Sequence, residues 1–424
     1  MLYTNVQAQF DLNGQLLQRG EFRNGYGKLI SLNAEPAAFV TQRTRLQATY
    51  KTEKLEFFTS IQDIRLWGNT SQIKLSDDFL SLHEGWAQLR LDSNWTIKLG
   101  RQELNYDNAR FLGNLDWAMQ ARAHDFLLLK RESKKHKIHI GGGFNQNSES
   151  LTENVFTLNN QYKTAQMLWY NYKNEGFECS FLFWNNGLQA YRKDSMNNII
   201  WKDMRYSQTI GIPKLSYSFW EGNTMEAFAY YQTGQDINNK DLSAYDISIQ
   251  NSHLIKLKNT KEATLKLTFG AELMSGTNNN EFKRNNSFSP MYSTAHVHNG
   301  YQDFFYAGGR HEKSVGLNDL FLRIKYAQAK KWFVVTDIHQ FMSNAKIYKN
   351  NELQSNQLGT EIDITGGIVF SKEVSLQLGY SQMFGTSTFN YIQKINTPKD
   401  QQNWFYAMLI IRPKSDKKFI GVML

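Results

Sequence analysis

The stretch Glu262-Ala-Thr-Leu-Lys-Leu-Thr-Phe-Gly-Ala-Glu-Leu-Met274 alternates apolar and polar residues with a period of two. Ala263, Leu265, Leu267, Phe269, Ala271 and Leu273 form one face, and Thr264, Lys266, Thr268, Gly270 and Glu272 the other. Successive strand residues point to opposite sides, so this period predicts a β-strand with one face in an apolar medium and one in a polar medium. The pattern recurs at 317–327, where Leu320, Leu322, Ile324 and Tyr326 oppose Asp319, Phe321, Arg323 and Lys325. It recurs again at 359–370, where Ile362, Ile364 and Ile368 alternate with Gly359, Glu361, Asp363 and Thr365. Neither segment reads as the continuous apolar run of a strand buried on both faces.

Outward from these segments, short and long connectors take turns. The short ones are 51–54, 92–94, 132–136, 173–176, 220–223, 258–261, 329–331 and 371–373. The long ones lie near 24–38, 67–78, 104–118, 146–163, 186–205, 233–241, 276–315, 343–355 and 384–400, many of them rich in Asn, Ser and Gly. Eight turns and nine loops imply eighteen strands with both ends of the chain on the short-turn side. Short periplasmic turns and longer outer loops characterise bacterial outer-membrane barrels, and closure leaves no sheet edge unpaired in lipid. The expected fold is an all-β transmembrane antiparallel up-and-down barrel of about eighteen strands in one domain over residues 9–413. Residues 1–8 are the end of a signal peptide or a short leader, and 414–424 form a C-terminal tail beyond the last strand. Trp67, Trp95, Trp169, Trp184, Trp220, Trp332 and Trp404 fall near strand ends, where an interfacial girdle would place them.

Composition agrees with this reading. A helical span needs roughly 20 consecutive apolar residues, yet runs such as Phe126–Leu129 and Ala407–Ile411 stop after a few. Aromatic residues reach 14% and glycines 28, while prolines number 5, a mixture suited to strands and polar loops. The single cysteine, Cys179, has no intramolecular partner for a disulfide, and its alternation with Phe177 and Phe181 places it on the lipid face.

With apolar alternates toward lipid, the opposite set lines a lumen. Arg19, Glu21 and Arg23 share a face; so do Arg43, Arg45 and Gln47, and so do Glu84, Trp86, Gln88 and Arg90. An arginine facing lipid at mid-bilayer costs about 2–4 kcal/mol, which directs these side chains inward. There they can pair with Glu21, Glu84, Glu361 and Asp363. Arginine rings select anions because a narrow, water-filled, low-dielectric tube focuses their field, and a guanidinium grips a carboxylate through two parallel hydrogen bonds. A ladder of weak sites of that kind would pass an acidic polymer from step to step.

Leu99-Gly-Arg-Gln-Glu-Leu-Asn-Tyr-Asp-Asn-Ala-Arg-Phe-Leu-Gly-Asn-Leu-Asp-Trp117 and Ala121-Arg-Ala-His-Asp125 together resemble the alginate-export family of outer-membrane porins, as do Gly14–Arg23 and Leu358–Asp363. Asn and aromatic content is similar to that of Bacteroidetes-type members. The resemblance implies a monomeric arginine-lined conduit for anionic alginate, surrounded by outer-membrane lipid and served by periplasmic export partners. It implies that Arg19, Glu21, Arg23, Arg43, Arg45, Arg101, Glu103, Arg110, Arg122 and Asp125 line or support that conduit. Glu84, Arg90, Arg323, Lys325, Glu361 and Asp363 join them from the alternation alone. Strict alternation sets Arg101 in register with Ile97 and Leu99, facing outward, unless the strand bulges near Gly100; the same conflict arises between Arg122 and Asp125.

Enzyme chemistry lacks its signatures. No Gly-x-Ser-x-Gly elbow, His-Glu-x-x-His helix or phosphate loop accompanies His136 and His139 or His296 and His298. His296, His298 and His311 sit in the 276–315 loop, read as solvated, so neither a metal nor a cofactor is expected. Gly141–Gly143 marks a strand break or room for a neighbouring side chain. The basic residues are spread through alternating strands rather than gathered in one patch, which argues against nucleic acid. The expected function is therefore a channel for anionic solutes, alginate-like uronate polysaccharide first. The alternatives are a general or small-organic-acid porin, or a barrel scaffold whose outer loops bind a partner. An inward-folded 276–315 loop would favour the gated exporter, and a projecting one the scaffold.

Overall fold

The alternating segments do pair, and eighteen of them close on themselves in a computed structural model of the chain. It describes residues 8–73, 79–152, 155–158, 161–257, 262–306 and 314–422. The first nine strands are β1 (Gln9–Asn24), β2 (Ala37–Lys51), β3 (Leu55–Leu66), β4 (Leu80–Arg90), β5 (Trp95–Gln102), β6 (His124–Glu132), β7 (His136–Phe144), β8 (Thr164–Asn174) and β9 (Phe177–Lys193). The other nine are β10 (Ile199–Ser218), β11 (Asn223–Gln235), β12 (Asp241–Lys256), β13 (Ala263–Met274), β14 (Leu317–Gln328), β15 (Trp332–Met342), β16 (Gln357–Val369), β17 (Val374–Gly385) and β18 (Gln402–Ile411). Each pairs antiparallel with its sequence neighbours. β18 returns to β1, from Leu16 opposite Ile411 to Asn24 opposite Asn403, so every ladder is satisfied within the ring.

Burial follows the predicted parity. On β14, Asp319 and Arg323 are buried while Leu320, Leu322 and Ile324 face out; on β16, Glu361, Asp363 and Thr365 are buried and Ile364 faces out. On β2, Arg43 and Arg45 are buried while Leu46 faces out. Outward apolar side chains meet lipid and need no protein partner. Cys179 is half-buried on the outward parity of β9, beside the exposed Phe181.

Three expectations change. The 186–205 segment is mostly ladder: β9 and β10 pair from Gly187–Tyr206 up to Lys193–Ile199, leaving a tight turn at 194–198. Its Asn-rich composition reflects strand ends beyond the bilayer, where polar residues cost nothing. The tryptophan girdle is only partial. Trp67 and Trp220 are exposed, but Trp184, Trp404 and Trp169 are buried on the inward parity, because nearness to a strand end says nothing about which face a residue takes. The 276–315 loop is not solvated throughout: residues 279–284 are exposed, but most of 285–304 is buried inside the barrel, as is much of the 103–123 connector. The turn at 258–261, His311 and residues 1–7 lie outside the described residues.

Inside, the inserted loops and the wall share an apolar core. Phe111 of the 103–123 connector sits fully buried among Trp184, Tyr230 and Tyr292, with ring centroids 6.2, 6.0 and 6.1 Å away. Burying one such ring is worth about 1.5–3 kcal/mol. The loops also hold each other, Gly113 N donating to Tyr292 O at 2.8 Å and Thr294 N to Ala109 O at 3.0 Å. Gly141 and Gly143 make room for this core: a Cβ at 141 would stand 2.7 Å from Phe126, and one at 143 would stand 2.9 Å from both Phe126 and Tyr162.

Candidate functional site

The inward residues of β1 and β2 build a basic wall. Arg19 Nε reaches Glu21 Oε1 at 2.9 Å, Arg23 Nε donates to Glu21 Oε2 at 2.9 Å, and Arg23 lies 4.1 Å over the Tyr26 ring. Arg19 also donates to Trp117 O at 2.8 Å and sits 4.2 Å over the Trp117 ring, which is stacked on His296 at 4.0 Å with the planes 3° apart. Arg43, fully buried, donates to Gln15 Oε1 at 3.0 Å and to Asp116 Oδ1 at 2.7 Å. Arg45 holds Gln62 Oε1 at 2.7 Å and, among the described residues, has no carboxylate partner.

Opposing charge gathers on β12 to β16, where Asp246, Glu272, Asp319, Asp337, Glu361 and Asp363 are all buried on the lumen side. Loops and local bases reach each of them. Arg110 bridges Asp246 Oδ2 at 2.8 Å and Glu272 Oε1 at 2.6 Å; Arg323 meets Asp337 at 2.5 Å, and His339 meets Asp319 at 2.9 Å. Gln302 N donates to Glu361 Oε1 at 2.8 Å and Tyr301 N to Asp363 Oδ2 at 3.3 Å. The acidic wall therefore anchors the plug; on the basic wall Arg19 and Arg43 hold the 103–123 connector, and Arg19 and Arg23 also border open space. No arginine pairs with Glu361 or Asp363 among the described residues, contrary to expectation, because loop amides reach them first.

That open space is a cavity of about 700 Å³ lined by Arg19, Arg23, Tyr26, Trp117, Arg122 and His296, among others. Arg122 donates only to backbone oxygens, Ser293 O at 2.9 Å and Gly113 O at 3.4 Å, and among the described residues no carboxylate pairs with it. Burial pulls its guanidinium down to about 10, so it remains charged at neutral pH. Asp116 fastens the same connector: beside Arg43 it meets Arg412 at 3.0 Å and Lys417 at 4.0 Å. Burial alone would raise its carboxyl, but Arg43, Arg412 and Lys417 prevail and hold it well below the usual carboxylate range.

The remaining predicted residues divide. Lys325 points inward, 5.9 Å from the Phe333 ring. Glu84 is buried and accepts from Glu103 N at 3.0 Å and Trp86 Nε1 at 3.2 Å, while Glu103 meets His83 at 3.0 Å and Asn114 at 2.8 Å. Arg90 ends β4 exposed at the short-turn rim, away from the cavity. Arg101 and Asp125 are corrections. Arg101 stands opposite Asp125 on the outward parity, and the two pair with each other at 2.9 Å, both exposed. Gly100 does not bulge; its φ of +116° is taken within a continuous ladder, where a Cβ would lie 2.4 Å from Gly85 O. Alternation alone missed Asp116, Trp117 and His296, all loop residues without a period, although Asp116 and Trp117 end the Gly-Asn-Leu-Asp-Trp segment.

A closed eighteen-stranded ring with short turns on one side, a lipid-facing outer surface and a charged, loop-plugged lumen is an outer-membrane channel of the porin class, and its location is the bacterial outer membrane. The model of the alginate export family matches residues 33–390, and the chain belongs to that family. No curated protein sequence matches it. Among solved structures it is similar to Acinetobacter baumannii OccAB4, at 11% identity and a TM-score of 0.61, over 96% of this chain and 99% of that one. It is also similar to Pseudomonas aeruginosa OpdQ, at 12% identity and a TM-score of 0.58, over 95% and 97%. A structure of Pseudomonas aeruginosa OpdK with vanillate shows 11% identity and a TM-score of 0.57, over 95% and 98%. At these identities the likeness shows the fold. Fold and family are those of porin channels, which are not enzymes.

Proposed function

We propose that this channel passes carboxylate-bearing solutes, with uronate chains of the alginate type as the first choice. The supporting observation is Arg122, a half-buried cation whose described side-chain partners are backbone oxygens, on the wall of a cavity it shares with Arg19, Arg23, Glu21 and Asp303. A guanidinium without a fixed counter-ion, in a low-dielectric space, attracts carboxylate strongly and can bind it through two hydrogen bonds. Glu21 moderates the neighbouring arginines, so a solute held there can also leave. Arg43, buried against Asp116, and Arg45, buried on Gln62, join Glu84, Glu103, Arg110, Arg323, Lys325, Glu361 and Asp363 in holding the wall and plug in place, and they enter the path only when the connector moves. The barrel works as a monomer in this reading, and a polymer passes only when the 103–123 connector and the mostly buried residues 285–304 move.

A second reading has support of its own. The cavity of about 700 Å³ falls within the range of about 300–1,000 Å³ of small-molecule pockets, which suits a porin for small organic acids. Planar-bilayer recordings separate the two. Anion selectivity with current block by uronate oligomers, weakened by Arg122→Ala and Arg23→Ala, supports the polymer path. Block by monomeric carboxylates alone moves the assignment to small acids, and cation selectivity removes both.

A further inference from the structure

Beyond β18, after a mostly exposed stretch at 413–417, residues 418–422 lie inside the barrel. The chain turns back at Arg412 and enters the lumen from the short-turn side, along the inner faces of β15, β16 and β17. Ser375 Oγ on β17 donates to Lys418 O at 2.6 Å. One step up the same face, Gln377 grips Ile420 with both ends of its amide: Nε2 donates to Ile420 O at 2.9 Å, and Oε1 accepts from Ile420 N at 3.1 Å. A side-chain amide carries one donor group and one acceptor and can stand in for a strand neighbour at a single residue. Ile420 is 2% exposed.

The seat is also shaped. The Phe419 ring packs edge-on against Phe333 of β15 at 4.8 Å, over Gly367 of β16, where an added Cβ would stand 2.4 Å from it. Any larger residue at 367 would therefore displace Phe419. Gly421, with φ of +66°, abuts Trp117 and His296 so closely that a Cβ would stand 2.3 Å from the Trp117 ring. Beneath, Arg412 and Lys417 converge on Asp116.

No strand ladder holds this segment: residues 412–422 belong to no strand, and their grip is made of separate contacts. These are the Gln377 clasp, the Ser375 hydroxyl, the Phe419 and Ile420 side chains, the Asp116 pairs, Arg412 N on Glu373 O at 2.8 Å, Lys414 on Asp11 and Leu12 O, and Lys418 Nζ on Lys372 O. The intervening Lys414, Asp416 and Lys417 are exposed and polar, and the partners they hold, Asp11 and Leu12 O for Lys414 and Asp116 for Lys417, can be exchanged for water. These are the features of a peptide lying in a groove, and short turns mark this side as periplasmic.

We propose that the inner face of β15, β16 and β17 at the periplasmic mouth is a peptide-binding groove. Residues 413–422 are its resident ligand, a plug that closes the lumen from the periplasm and is displaced when the channel conducts. The inference does not depend on which solute passes, because its readout is the current of a simple salt.

The test is single-channel current in potassium chloride. Deleting residues 413–424 raises the conductance or the open fraction by at least about twofold, and a synthetic peptide of residues 413–424, added on the short-turn side only, restores the closed level. The same peptide carrying Phe419→Asp does not. Full-length Gly367→Leu and Phe419→Asp, which evict the ring without shortening the chain, open the channel in the same way and cover the case in which the truncated barrel fails to assemble. Currents equal to the parent's in these full-length variants overturn the proposal, as does an assembled truncated channel that the peptide does not block.

Discussion

Replacing Arg110 by leucine removes the cation that joins the 103–123 connector to the acidic wall. Its guanidinium is fully buried and spans Asp246 on β12 and Glu272 on β13, themselves buried. Taking one partner from a buried ion pair costs about 3–5 kcal/mol, because the remaining charge is left without compensation. Here two carboxylates are left, with Asn299 Nδ2 on Glu272 at 2.9 Å as partial relief. The barrel ladder does not pass through Arg110, so the cheaper response is for the connector to withdraw and let water reach the acids. A loss of about 3 kcal/mol shifts the ratio of inserted to withdrawn connector by on the order of a hundredfold. Single-channel recording should show a larger open fraction for Arg110→Leu, and protease should cut the connector faster, while the folded barrel keeps its mobility in unheated gels. Replacing all three groups by leucine should restore closure, since a buried ionic triad exchanged for packed apolar residues is often neutral or stabilising. Unchanged current and unchanged proteolysis in the folded Arg110→Leu protein would refute the assignment of Arg110 as an anchor.

Asp116 gives a pH signature. Its carboxyl lies below the usual range in the folded protein, so its contribution is fully present above about pH 4, the range of an unperturbed carboxylate, and is lost only as pH falls toward its own lower value. The share of closure that Asp116 supplies, read as the difference between the parent and Asp116→Asn, should therefore be flat from neutral pH to about pH 5 and shrink only under stronger acid. Asp116→Asn should open the channel at neutral pH and remove that acid step; an open fraction that stays at the parent's level contradicts the role. Gly143→Leu should lower barrel stability by about 1–3 kcal/mol through overpacking against Phe126 and Tyr162. Resistance to heat or denaturant equal to the parent's would show that the core yields there.

Much of the barrel was legible because its signals are local. Alternation depends on nearest neighbours, so the faces of β2, β14 and β16 could be read one strand at a time. The spacing of polar connectors likewise marked the strands and their short-turn side. The basic wall of Arg19, Arg23, Arg43 and Arg45 followed from the same parity. Arg101 was decided by pairing: its register with Asp125 makes an outward pair that no motif reveals, and the family segment around it names residues without giving their direction. Trp184 and Trp404 show the same limit, since they fill the lumen from positions that look interfacial in sequence.

Residue order alone dictates a closed ring of amphipathic strands with Arg19, Arg43 and Arg45 turned inward, because the pleat fixes which residues share a face and lipid penalises the other choice. The filling of that ring follows from the folded barrel instead. The 103–123 connector and the 276–315 loop have the polar composition of solvated loops, and their described residues enter the lumen because its wall offers Asp246, Glu272, Glu361 and Asp363 as partners for their backbone and side chains. A polar loop is equally satisfied by water or by a charged wall, and only the closed barrel brings that wall within reach.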